Sequence, residues 1–104
     1  HKYDVCLIPE TIEHVGNVED FLINVSKINA SQFLFNAPNC FSKERLKNYH
    51  KKNNLFVEVV HPDHNCWYSP YTLKNQIEKY STLKVTQIYL LENDSMICCE
   101  AFKV

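Results

Sequence analysis

Leu55 to Tyr71, LFVEVVHPDHNCWYSPY, constrains the fold most. Leu55, Phe56, Val57, Val59 and Val60 are all strand-favouring residues packed into one short run. His61-Pro62-Asp63-His64-Asn65 then reads as a polar turn, since Pro62 presets φ and Asp63 and Asn65 tolerate turn geometry. Cys66-Trp67-Tyr68 resumes the apolar pattern with the only tryptophan of the chain. Strand, turn and aromatic return predict a β-hairpin with an aromatic rim, and a chain built on one folds mainly through strand pairing.

The rest of the chain extends that expectation. Tyr3 to Ile8 alternates Tyr3, Val5 and Leu7 against Cys6 and Ile8, a strand that Pro9 ends. Phe21, Ile23 and Val25 alternate and predict a second strand. Asn29-Ala30-Ser31 reads as a turn, and Gln32 to Phe35 as a short strand returning antiparallel. Ser42 as N-cap, Glu44 early in the helix and Leu46 with Tyr49 on one face predict a helix over 42–53, ended by Asn53-Asn54. The segment Ser69 to Ser81 admits two readings. Ser69 as N-cap, Pro70 at the first position and Leu73, Ile77 and Tyr80 at helical spacing make a helix, which the local pattern favours. Tyr68, Pro70 and Thr72 alternatively continue the strand begun at Trp67. Lys84 to Leu91 and Met96 to Phe102 are strands separated by the turn Glu92 to Ser95. The expected class is mainly β, with α+β as the alternative: a small antiparallel barrel-like sheet with one or two helices, in a single domain over residues 1–104.

Composition excludes several functions. Gly16 is the sole glycine, so neither common Gly-rich phosphate loop can be built. A net charge of −1 gives no overall bias toward nucleic acid or membrane. No apolar run reaches the ~18 residues of a membrane span. Cys6, Cys40, Cys66, Cys98 and Cys99 are odd in number and lack CxxC spacing, which suits reduced thiols in an intracellular protein, cytoplasmic or nuclear.

The aromatics Tyr68 and Tyr89 are candidates to rim one pocket, where a cation held between ring faces gains ~0.5–2 kcal/mol per contact. Here the chain resembles the Tudor domain family. VEVVHPDHNCWYSPYTL is similar to the first Tudor hairpin, and Gln87 to Asn93 to the later strand and asparagine. Val18 to Val25 resembles the lead-in strand of the extended form, and Ser42 to Asn54 its linker helix. The resemblance implies a barrel over about 55–97 preceded by strands and the linker helix over about 3–54. It further implies a cage for methylarginine on a partner protein, in the manner of the piRNA pathway. Tyr68, Tyr89 and Asn93 match the cage. Val60 or His61, and Glu92, stand where further aromatics are expected, and the family's glycine before the asparagine is missing. With a carboxylate at Glu92, the expected ligand is a peptide carrying arginine or lysine, unmodified or methylated, bound by Tyr68, Tyr89, Asn93, Glu92, His61 and Trp67.

Other chemistries have weaker patterns. His61, His64 and Cys66 lack the paired spacing of a zinc site, so neither a metal nor another cofactor is expected. Cys66 beside His64 has no oxyanion hole or third group, so no catalysis is expected. The alternative function is nucleic-acid binding through Lys43, Arg45, Lys47, Tyr49, Lys51 and Lys52, non-specific and weak because a single arginine serves the whole chain.

Overall fold

The computed structural model describes residues 1–46 and 64–104. The strand expected at Leu55–Val60, the turn residue His61 and most of the helix expected over 42–53 lie outside the described residues. The elements run β1 (Tyr3–Pro9), a 3-10 turn (Ile12–His14), α1 (Val18–Ser26), β2 (Ala30–Pro38), α2 (Lys43–Leu46), α3 (Pro70–Tyr80), β3 (Leu83–Leu91) and β4 (Met96–Lys103). The expected class holds: strands dominate and helices accompany them. The four strands form one sheet in the order β1-β2-β4-β3, with β1 and β3 at its edges among the described residues. β2–β4 and β4–β3 pair antiparallel, whereas β1–β2 pair parallel, Val5 opposite Gln32 and Leu7 opposite Leu34.

Residues 21–25, expected as a strand, form part of a helix, and that helix is what makes the parallel pair possible. Asn17 caps α1 by accepting a hydrogen bond from the Asp20 amide at 3.0 Å. Val18, Phe21, Leu22 and Val25 repeat at i, i+3, i+4 and i+7, and all four face the core. Ile23, which a strand would have turned inward with Phe21, is exposed. A helix between β1 and β2 lets the chain return and run alongside β1 in the same direction.

The segment after Ser69 is the helix of its two readings, so no strand continues through Thr72 as a Tudor barrel requires. Ser69 accepts from the Thr72 amide at 3.1 Å, Thr72 Oγ1 accepts from the Ser69 amide at 2.9 Å, and Pro70 opens the first turn. Leu73 and Ile77, four apart, are wholly buried. Burying each adds ~1.5–3 kcal/mol over leaving it in water. Tyr68, placed by sequence on a return strand, makes only an isolated bridge with Asn39.

α1 and α3 pack on one face of the sheet, over Phe33, Phe35, Ile97, Cys99 and Ala101. Alternation sends Gln32, Leu34 and Asn36 of β2, and Cys98, Glu100 and Phe102 of β4, to the opposite face. β1 contributes Tyr3, Val5 and Leu7 there, and Leu7 is 65% exposed. Among the described residues, helices cover one side of the sheet and an apolar row lies on the other.

Candidate functional site

The open face carries a cleft of about 420 Å³. Val5, Leu34 and Phe102 form its apolar walls, and Tyr89, Thr86 and Glu100 its polar side. Strand register builds it: Val5 lies beside Gln32, Gln32 beside Phe102, and Leu34 beside Glu100. A bulge between Val85 and Gln87 locally breaks the β3–β4 register, and Thr86 within it donates from Oγ1 to the Glu100 carbonyl at 3.1 Å. Bulges re-aim side chains, and this one sits against the cleft. Glu100 is the one charged residue of the lining among the described residues. The Tyr89 phenol is held above its ordinary range, first by the partial loss of solvent on the sheet and then by the Glu100 carboxylate beside it. An aromatic face, a carboxylate and apolar walls in one strand-lined cleft suit a cationic side chain on an extended backbone.

The structure separates the residues that the sequence grouped. Tyr68 is 2% exposed and belongs to the core on the helical face, donating to Gln76 Oε1 of α3 at 2.7 Å. Burial, then the neighbouring Cys66, pushes its phenol far above the ordinary range. Tyr89 lies on the other side of the sheet, so the two rings do not share a pocket. Sequence spacing suggested otherwise because it placed both on strands of one hairpin system. Trp67 is partly exposed beside the start of α3.

The chain matches no family model, no curated protein and no solved structure. Nothing in these comparisons identifies a Tudor domain.

Glu92 and Asn93 sit in the β3–β4 turn, where Glu92, Asn93 and Asp94 all have positive φ, at 54°, 56° and 65°. Asn93 borders a second, shallower hollow with Phe41, Lys43 and Leu90, apart from Tyr89. Asn39 anchors that turn: its amide nitrogen donates to the Ser95 carbonyl at 2.8 Å and its side chain to the Asp94 carbonyl at 2.9 Å. His61, Lys47, Tyr49, Lys51 and Lys52 lie outside the described residues. Lys43 is exposed. Arg45 is occupied within the fold, donating from Nε to the Ser95 carbonyl at 3.0 Å and from Nη2 to the Met96 sulfur at 3.4 Å. That ties down the sole guanidinium of the basic segment.

Glu100, Thr86 and the open face are what sequence reasoning missed. The alternation of Cys98, Glu100 and Phe102 against Ile97, Cys99 and Ala101 was the available signal, since it puts one acidic residue mid-strand on an otherwise apolar side.

Proposed function

We propose that this domain is a non-catalytic protein-interaction module that takes an extended peptide segment of a partner protein across the open face of its sheet. A lysine or arginine of the peptide enters the cleft between Tyr89 and Glu100. The observation that carries this reading is the Glu100 carboxylate beside the Tyr89 ring, facing the apolar walls of the cleft. A cation neutralises it, its methylene stem covers Val5, Leu34 and Phe102, and the Tyr89 ring adds a cation–π contact. A carboxylate accepts hydrogen bonds from an unmodified guanidinium, and each methyl group removes or crowds a donor. Unmodified arginine therefore binds at least as well as its dimethylated form. None of the five cysteines, all of them among the described residues, is joined in a disulfide, in keeping with a module that works in a reducing, intracellular compartment. No helix among the described residues is long and apolar enough to cross a membrane.

The test is calorimetric titration of the chain with Val/Thr-rich decapeptides carrying a central arginine, dimethylarginine, lysine or citrulline. Arginine is expected to exceed citrulline at least tenfold, equivalent to ~1.4 kcal/mol. Glu100→Gln is expected to erase most of that difference, and Tyr89→Ala to weaken binding of every cationic peptide. Equal affinity for the arginine and citrulline peptides, or binding indifferent to both substitutions, refutes the assignment. A tenfold preference for dimethylarginine that survives Glu100→Gln moves the ligand to another surface.

A further inference from the structure

A second site lies at the far end of β1, independent of the cleft. The 3-10 turn Ile12–His14 is clamped to residues 64–66 by three hydrogen bonds. The Asn65 and Cys66 amides donate to the Glu13 carbonyl at 2.6 and 3.3 Å, and the Asn65 side chain donates to the His14 carbonyl at 2.9 Å. This clamp brings His64 against His14, with ring centroids 4.6 Å apart and planes at 82°. It also brings a Glu13 carboxylate oxygen and one nitrogen of each imidazole within 4.8 Å of one another.

Glu13 is only 1% exposed, and both of its carboxylate oxygens are buried with no hydrogen-bond partner among the described residues. Folded proteins almost always give a buried polar group a partner, because leaving one unmet costs several kcal/mol for an ion. Here the groups converging with that carboxylate are imidazole nitrogens, which are ligands as well as bases. One ligand atom from each of these three side chains lies within 4.8 Å of the other two, close enough for a single ion to be shared among them.

We propose that Glu13, His14 and His64 bind one divalent transition-metal ion, zinc by ligand class, with solvent completing the coordination on the exposed side of His14. Two imidazoles and one carboxylate are a recognised zinc donor set that leaves a fourth position open. Hard ions such as magnesium and calcium prefer sites rich in oxygen, which this one is not. Zinc ligands lie ~2.0–2.2 Å from the ion, so donors spread over 4.8 Å must draw together on loading. His14 is exposed, so an adjustment of its side chain takes place outside the core. Sequence reading weighed His61, His64 and Cys66 and expected no metal. The partner that changes the assessment is Glu13-His14, some fifty residues upstream.

The test uses the full 104-residue chain, stripped with chelator and titrated with zinc in competition with a chromophoric chelator. Cobalt(II) serves as a parallel spectroscopic probe. One zinc per chain is expected, with visible cobalt bands of low-coordinate intensity. His14→Ala and His64→Ala are each expected to weaken zinc binding at least tenfold, and Glu13→Gln to do the same. Cys66→Ser is expected to leave it unchanged. His14 is exposed, so its substitution reports on binding even if Glu13→Gln fails to fold. No zinc uptake by the unsubstituted chain, or uptake indifferent to His14→Ala and His64→Ala, overturns the proposal and leaves a shared proton as the cation. Loss of uptake in Cys66→Ser, with His14→Ala unaffected, overturns it in favour of a thiolate site.

Discussion

Tyr68 separates a caged ligand from a packed core, and two substitutions there have calculable costs. The ring is 2% exposed, and its hydroxyl is satisfied by Gln76 at 2.7 Å. Tyr68→Phe keeps the ring and removes the donor, leaving the Gln76 carbonyl oxygen without it. Losing one partner of such a bond costs ~1–3 kcal/mol. Tyr68→Ala removes the ring as well, and large-to-small aromatic changes in cores cost ~3–5 kcal/mol. A domain of this length has a total stability of ~5–15 kcal/mol, so the alanine variant loses a large fraction of it. With ~4–8 °C of Tm per kcal/mol at this size, Tyr68→Phe is expected to melt roughly 5–20 °C lower. Thermal unfolding followed by Trp67 fluorescence and circular dichroism measures both variants. Tyr89→Ala, on the open face, is the control, expected to change Tm little. The reasoning fails if Tyr68→Phe unfolds at the unsubstituted midpoint and its peptide affinity falls instead.

Three further outcomes are expected. Glu92→Gly removes a side chain from a residue at φ 54°, where L-residues pay ~1–2 kcal/mol and glycine loses ~0.5–1 kcal/mol in chain entropy, so a net gain of up to ~1 kcal/mol is expected in urea unfolding; a loss would show that the Glu92 side chain makes a contact of its own. Burial, then the adjacent Cys98, pushes the Cys99 thiol up to about 12, so a thiol reagent at neutral pH should modify Cys99 only at the rate of global unfolding, and labelling of the native chain as fast as Cys66 contradicts this. The Val85 amide, then Lys74 and Lys84, hold the Glu78 carboxyl below its ordinary 4.5; its contribution to stability is complete above that pH and is lost as pH falls through the lower folded value, so Glu78→Gln should flatten the acid limb of the stability–pH curve, and an unchanged limb rejects the assignment.

Much of the fold is legible wherever capping and periodicity agree. Ser69-Pro70 followed by Leu73, Ile77 and Tyr80 signals α3, and the alternations of Lys84 to Leu91 and Met96 to Phe102 signal β3 and β4. α1 was misread because Phe21, Ile23 and Val25 satisfy a period of two over five residues, too short a window to distinguish from the helical stripe that Val18 and Leu22 complete. The sites were far less legible. Tyr89 was found for its ring, yet its true neighbour Glu100 reaches it through β3–β4 pairing. Glu13 and His64 meet through the hydrogen bonds that the Asn65 and Cys66 amides and the Asn65 side chain make to the Ile12–His14 turn. Neither contact leaves a trace in local spacing, since both are set by register and loop docking.

The position of the β2–β4 pairing in the sheet has a kinetic consequence. β1, α1 and β2 are joined by short connections, as are β3 and β4. The seam between these halves, from Pro38–Met96 to Gln32–Phe102, joins residues separated by more than half the chain. Closing so long a loop defers its reward until both halves are largely formed, so pairing along this seam is expected to come late in assembly. The same seam sets Leu34 beside Glu100 and Gln32 beside Phe102, which are walls of the cleft. Among the described residues the proposed cleft draws its walls from both halves, so it is complete only once this seam has formed.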